Sequence, residues 1–216
     1  MIRQRLLSIA ILFAVIAFGH LFAQDDMLES SPVHKNERAL SFSLATNGFG
    51  IGGTYRWKLP SYLHAGVNLE FFIIRDDDEI DVIDPFTLRP IKLNDTNRLF
   101  LIPATVELKK RLFANDIEDD FRPHVMVSTG GIFGMNFPKE QFITDPITGS
   151  RERVQPDNEF KFAWNALVGF GVDFTTNKNT FATLRMQYRV ARFATEIAGT
   201  DNHDAFEIKF EIGGQF

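Results

Sequence analysis

The sequence predicts an all-β protein, a closed eight-stranded antiparallel up-and-down transmembrane β-barrel. Three observations predict it. Eight segments alternate apolar and polar residues with a period of two, the period at which side chains change face along a strand. Their number is even and each holds about ten residues, as a membrane-spanning barrel requires. The polar faces mix both charge signs with glycines: Arg56, Glu70, Glu107, Lys109, Lys161, Asp173, Arg185, Arg189, Glu207, Lys209 and Glu211 stand among Gly50, Gly52, Gly66, Gly169 and Gly171. Glycine weakens a strand, so a soluble surface gains nothing from it there. A narrow lumen, by contrast, needs small residues beside long charged ones.

The elements follow in order. Arg3 and Arg5 precede an apolar run from Leu6 to Phe18, and Leu21, Phe22 and Ala23 come before Gln24. This is the pattern of a signal peptide over 1–23, with a flexible polar lead-in over 24–36 and the barrel over 37–216. The apolar run, about 13 residues, is short for a spanning helix. The first strand is expected at 38–45, with Leu40, Phe42 and Leu44 opposite Ser41 and Ser43, and a tight turn at 46–48. The second, 49–58, sets Phe49, Ile51, Tyr55 and Trp57 against Gly50, Gly52, Thr54 and Arg56. After a turn at 59–61, the third, 62–74, sets Val67, Leu69, Phe71 and Ile73 against His64, Gly66, Asn68 and Glu70.

A long polar loop, 75–96, leads to the fourth strand, 97–112. Here Pro103 removes a ladder donor and predicts a bulge or broken pairing. A short acidic turn, 113–121, precedes the fifth strand, 122–135, with Val125, Val127 and Phe133 opposite His124, Ser128 and Gly130. The loop 136–157 precedes the sixth strand, 158–174, the clearest alternation in the chain, from Phe160 through Trp164 and Val168 to Phe174. A turn at 175–179, a seventh strand at 180–190, a loop at 191–204 and an eighth strand at 205–216 complete the set. Short connections (59–61, 113–121, 175–179) alternate with long ones (75–96, 136–157, 191–204), the asymmetry of a membrane barrel; the turn 46–48 departs from it.

The pattern also suggests a register. If opposed residue numbers in strands seven and eight sum to 396, Arg189 faces Glu207 and Arg185 faces Glu211. A sum of 354 for strands six and seven sets Gly169 opposite Arg185 and Asn165 opposite Arg189. The expected lumen network is therefore Arg56, Glu70, Glu107, Lys109, Asn165, Asp173, Arg185, Arg189, Glu207, Lys209 and Glu211. Two aromatic girdles are expected. One holds Tyr55, Trp57, Phe174, Phe181 and Phe216; the other holds Phe71, Phe100, Phe133, Phe160, Phe162, Tyr188 and Phe206.

Composition narrows function. The 216 residues are one domain's worth of chain, with 23 Phe against 3 Tyr and 2 Trp. No cysteine is present, which excludes disulfides, thiolate nucleophiles and Cys-based metal sites. A net charge of −5 argues against a nucleic-acid partner. The acidic run Asp76-Asp77-Asp78-Glu79, with Asp81, lacks the spacing of an EF-hand and reads as a solvated loop, as does Asp116, Glu118, Asp119 and Asp120. The histidines of the mature chain are His34, His64, His124 and His203, and Ser128 is the best-placed serine. His124 and Ser128 share a face, but four residues along a strand span about 13 Å. No catalytic, cofactor or metal site is expected, and the chain reads as a non-enzyme and a monomer.

The signal peptide, the eight alternating strands, the long loops on one side and the last strand, with Phe210, Ile212, Gly214 and Phe216 on its apolar face, together resemble the small outer-membrane β-barrels of the OmpA-transmembrane-domain and OmpX type. The phrases Gly50-Ile51-Gly52-Gly53-Thr54-Tyr55-Arg56 and Phe121-Arg122-Pro123-His124-Val125 resemble strand segments of outer membrane protein β-barrel domain families. The resemblance implies a cell outer-membrane location and a periplasmic side bearing the short turns. It also implies an assembly signal in Phe210, Ile212, Gly214 and Phe216, read by the barrel-assembly machinery, with outer-membrane lipids and lipopolysaccharide as surroundings. Its implied role is structural or surface-interacting, through the external loops. Some barrels of this kind modify lipid A, which needs Ser and His within hydrogen-bond reach. A lipid A-modifying enzyme, a narrow channel for small hydrophobic molecules, and a soluble periplasmic lipocalin-like carrier are the alternatives.

Overall fold

In the computed structural model of the protein, which describes residues 35–75, 80–83, 90–93, 97–114, 120–144, 151–177 and 179–216, the alternating segments are strands. They are β1 (Glu37–Ala45), β2 (Gly48–Leu59), β3 (Leu63–Ile74), β4 (Ile80–Ile83), β5 (Pro90–Leu93), β6 (Leu99–Arg111), β7 (Phe121–Asn136), β8 (Gln141–Thr144), β9 (Arg151–Val154), β10 (Glu159–Asn177), β11 (Thr180–Ile197), β12 (Thr200–Asn202) and β13 (Ala205–Gln215). The signal segment, His34, the acidic runs Asp76 to Glu79 and Asp116 to Asp119, and most of the lead-in lie outside the described residues.

Eight of these strands form the barrel. Each pairs antiparallel with its sequence neighbour around the wall, in the order β1, β2, β3, β6, β7, β10, β11, β13, and β1 pairs β13 to close it. Closure leaves no edge strand in the wall. The two long connections expected to be irregular hold hairpins of their own, β4–β5 and β8–β9. The third expected loop, 191–204, is mostly strand. β11 runs on to Ile197 and turns back through Ala198 (φ 52°) and Gly199 (φ 83°). Two consecutive positive φ values are the signature of a two-residue hairpin turn twisted to match its strands.

The faces separate sharply. Leu40 (76% exposed), Ile212 (75%), Phe162 (70%) and Val168 (59%) point outward, whereas Arg56, Arg185, Lys209 and Glu211 are buried inside. This inverts a soluble barrel, whose apolar side chains point inward, and it overturns the lipocalin-like alternative at the level of architecture. The outward aromatics cluster at both ends. Tyr55 packs edge-on to Trp57 at 4.9 Å and lies 5.9 Å from Phe216. At the long-connection end Phe71, Phe100, Phe137, Phe160 and Phe133 form a chain with centroid spacings of 5.5, 6.0, 5.8 and 6.4 Å. Phe181 is a correction. It is an inward residue, 1% exposed, because it shares the phase of Thr183 and Arg185, and Lys109 Nζ lies 5.6 Å from its ring centre.

Pro103 interrupts pairing without a bulge. Leu69 pairs with Ala104 and Phe72 with Leu101 in one unbroken register, but the positions between them are not paired. On its other side Pro103 pairs with Ile132.

The lumen is apolar at the long-connection end. Phe72, Ile74, Leu99, Leu101, Ile132, Phe193 and Ile197, with Ala163 and Ala191, form one buried cluster there. Gly50 makes room for it, since a Cβ at that position would stand 2.8 Å from the Phe72 ring. Above it, Asn136 Nδ2 and the Ala198 N–H both donate to Glu159 Oε2, at 2.9 and 2.8 Å, fastening three strand ends together.

Candidate functional site

Below the apolar cluster the inward positions of all eight strands carry polar and charged residues. Strand alternation places them there, and lumen width forces them together. All eleven residues of the expected network are buried in the interior. Five cations (Arg56, Lys109, Arg185, Arg189 and Lys209) meet six carboxylates (Glu37, Glu70, Glu107, Asp173, Glu207 and Glu211). They stack in three tiers.

The tier beneath the apolar cluster is built on Arg189. Its Nε lies 2.9 Å from Glu207 and its Nη2 3.2 Å from Glu70, while its guanidinium carbon sits 4.2 Å from the centre of the Phe72 ring. That contact joins the apolar and charged halves of the interior by a cation–π interaction. Lys209 Nζ completes the tier, 2.8 Å from Glu70 and 3.2 Å from Asn68 Oδ1, and Gln187 Nε2 donates to Glu207 at 2.6 Å. In the middle tier Arg56 Nη2 donates to both oxygens of Glu211 at 2.8 Å, and its Nε donates to Glu107. Arg185 lies 3.4 Å from Glu211 and 3.8 Å from Glu107. At the short-turn end Lys109 Nζ bridges Glu37 at 3.0 Å and Asp173 at 2.6 Å, and Thr183 Oγ1 donates to Asp173 at 2.6 Å.

The pairings differ from the expected register. β11 and β13 pair with a sum of 394, so Arg185 opposes Lys209, Gln187 opposes Glu207 and Arg189 opposes Ala205. β10 and β11 pair with a sum of 356, so Gly171 opposes Arg185, Leu167 opposes Arg189, and Asn165 opposes Ala191. A shift of two keeps every side chain on its face, so membership of the interior survives while the partners change. Two features set the shift. β10 has an irregularity at Thr175 to Asn177. β11 carries extra residues between Arg192 and Ile197, absorbed before the Ala198–Gly199 turn. The Arg189–Glu207 and Arg185–Glu211 contacts are made diagonally instead of directly across.

Sequence reasoning passed over Glu37, which touches Arg56 and Lys109. Its phase with Ser41 and Ser43 was the available signal. His124 and Ser128 are both buried and inward. The His124 ring is oriented toward Asp173, with Nδ1 3.4 Å from the carboxylate. His203 lies at the opposite end of the lumen, edge-on to Phe193 at 5.4 Å. Among the described residues no group of three or more His, Asp or Glu side chains is arranged to hold a metal ion. Of the residues that form the expected assembly signal, Phe210 and Ile212 of β13 and Phe216 just after it are exposed, and Gly214 is half-buried.

No family model matches this chain, and no curated protein matches it in sequence. Solved structures do match in fold. Neisserial surface protein A (NspA) is 10% identical, the match covering 84% of this chain and 96% of that one, with a TM-score of 0.50. The N-terminal β-barrel domain of Pseudomonas aeruginosa OprF is 13% identical over 84% of this chain and 97% of that one, with a TM-score of 0.44. The outer membrane protein OprG of Pseudomonas aeruginosa is 11% identical over 86% and 98%, with a TM-score of 0.47. At such identities the likeness to NspA is one of fold.

Proposed function

We propose that this chain is a small integral outer-membrane barrel of the OmpA-transmembrane-domain and OmpX kind, with a closed lumen and a structural or surface-interacting role, neither catalytic nor conducting. One observation carries the reading: ion-paired side chains fill the interior and an apolar cluster stops its long-connection end. An eight-stranded barrel is just wide enough for side chains to fill it. Water-filled conduction would require breaking pairs whose members are buried, which is costly in a low-dielectric interior.

The role then falls to the surface. On this reading the short-turn end, where Asn36 and Phe216 exchange backbone hydrogen bonds, faces the periplasm, and the hairpins β4–β5 and β8–β9 face outward. Residues 1–23 direct export, and the outward face of β13 serves the assembly machinery. Loops on a rigid scaffold are where barrels usually carry recognition.

Single-channel recording tests the closed lumen. The purified barrel, inserted in planar bilayers, is expected to give no discrete openings. Reproducible conductance steps would overturn the closed lumen and favour the narrow channel.

A further inference from the structure

Strand alternation turns Thr105 of β6, His124 of β7, Asn165 of β10, and Arg185 and Gln187 of β11 into the lumen, none more than 5% exposed. Each keeps polar atoms with no hydrogen-bond partner among the described protein groups. They are Thr105 Oγ1, His124 Nε2, Asn165 Oδ1 and Nδ2, Arg185 Nε and Nη1, and Gln187 Oε1. Arg185 Nη1 lies 3.8 Å from Glu107, beyond hydrogen-bond reach. Gln187 commits its Nε2 to Glu207 at 2.6 Å, which leaves its Oε1 on the other side of the amide. Polar groups buried this deeply are bonded in folded proteins, to protein or to ordered water.

The five residues belong to four adjacent strands of one wall. On the facing wall the charges satisfy one another directly. Ser41 Oγ is the one comparable atom among the described residues of the charged tiers there, since Glu207 Oε1 meets Arg189 Nε at 2.9 Å. Small residues give the first wall its room. Thr105, Gly130, Asn165 and Ala191 follow one another in register across β6, β7, β10 and β11. Thr105 and Asn165 therefore stand two strand spacings apart, about 10 Å at the backbone, with only Gly130 between them. One water spans about 5.6 Å between two partners, a gap that both side chains can reach across. Nearer the short-turn end, His124, Gly171 and Arg185 are in register. A Cβ at Gly171 would stand 3.0 Å from His124 Nε2, so the imidazole reaches over the glycine that separates it from Arg185.

The unpartnered set contains donors, on Arg185 and the Asn165 amide, and acceptors, Gln187 Oε1 and Asn165 Oδ1. An anion would serve only the first kind and a cation only the second. Water serves both, and a buried water typically makes about three hydrogen bonds.

We propose that this wall holds two bound-water sites, one between Thr105 and Asn165 and one among His124, Arg185 and Gln187. Ile132, Ala163 and Ala191 of the apolar cluster close the upper site toward the long-connection end. The interior is thereby two-sided, locked by direct ion pairs on one wall and filled through water on the other. The water is enclosed, so the proposal is compatible with a lumen that does not conduct, and it does not depend on the outer-membrane reading.

The test is oxygen-17 relaxation dispersion of water on the full barrel in detergent micelles. Oxygen-17 reports water oxygens alone, so the exchanging hydroxyl of Thr105 does not contribute. The unmodified barrel is expected to show at least about two long-lived waters, and T105V/N165L about one fewer. A barrel with a boiling-dependent gel shift but no dispersion overturns the proposal. So does an undiminished amplitude in the folded double variant. Where that variant does not fold, the unmodified barrel still decides. Cross-relaxation from water to the Asn165 amide and to Arg185 Nε–H supports the two sites, and its absence overturns them.

Discussion

Replacing Glu211 with leucine is expected to cost about 3–5 kcal/mol, the range for removing one partner of a buried ion pair. Glu211 is the centre of the interior. Arg56 holds both its oxygens at 2.8 Å, Arg185 lies 3.4 Å away and Lys209 3.5 Å. Without it, Arg56 keeps Glu107 and Glu37, but Arg185 keeps only its 3.8 Å contact with the Glu107 that Arg56 shares, and its buried guanidinium is left under-compensated. The effect is measured as the urea midpoint of the barrel folded in lipid vesicles, followed by the heat-sensitive gel shift. A double variant discriminates the cause. R185L/E211L removes one charge of each sign, so its destabilisation should fall at least about 1 kcal/mol short of the summed single changes. Strict additivity would mean that the two residues act as independent fillers and that the ion-pair network is not the source of stability.

The second large effect is on the opposite face. Val168 lies at the middle of β10, 59% exposed, between Val127 and Tyr188 on the neighbouring strands. V168R should destabilise the vesicle-folded barrel by about 2–4 kcal/mol, the cost of an arginine at the bilayer midplane. On a water-exposed surface the same substitution typically changes stability by less than about 0.5 kcal/mol. A neutral V168R would place that face in water and remove the basis for the lipid-facing assignment.

How much of this was legible in the sequence follows from what a period of two can and cannot encode. Alternation located seven of the eight strands within a few residues, missed the extension of β11 from 190 to Ile197, and sorted Arg56, Glu70, Glu107, Lys109, Asn165, Asp173, Arg185, Arg189, Glu207, Lys209 and Glu211 onto the inner face. Register escaped it because a slip of two residues leaves that sorting intact. The slip is decided at Ala198–Gly199 and at the irregularity near Thr175, where no hydrophobic pattern reports. The apolar cluster was hidden for a related reason. Phe71 to Ile74, and Leu99 to Ile102, are apolar on both faces, so the inward Phe72, Ile74, Leu99 and Leu101 do not stand out from their outward neighbours. Phe181 was misplaced because its nearness to a strand end looked like girdle membership, although its phase matched Thr183 and Arg185. The hairpins β4–β5 and β8–β9 lie in stretches whose composition reads as polar loop.

The central claim is that the apolar outer face meets lipid while the charges stay inside. Trp164 tests it directly, because it points outward from β10, 61% exposed, and the chain has only one other tryptophan, Trp57. In a W57F variant folded into bilayers, phospholipids brominated along the acyl chain should strongly quench the remaining tryptophan fluorescence. Full fluorescence in brominated lipid, from protein that retains its boiling-dependent gel shift, would contradict the claim and put Trp164 out of reach of the acyl chains.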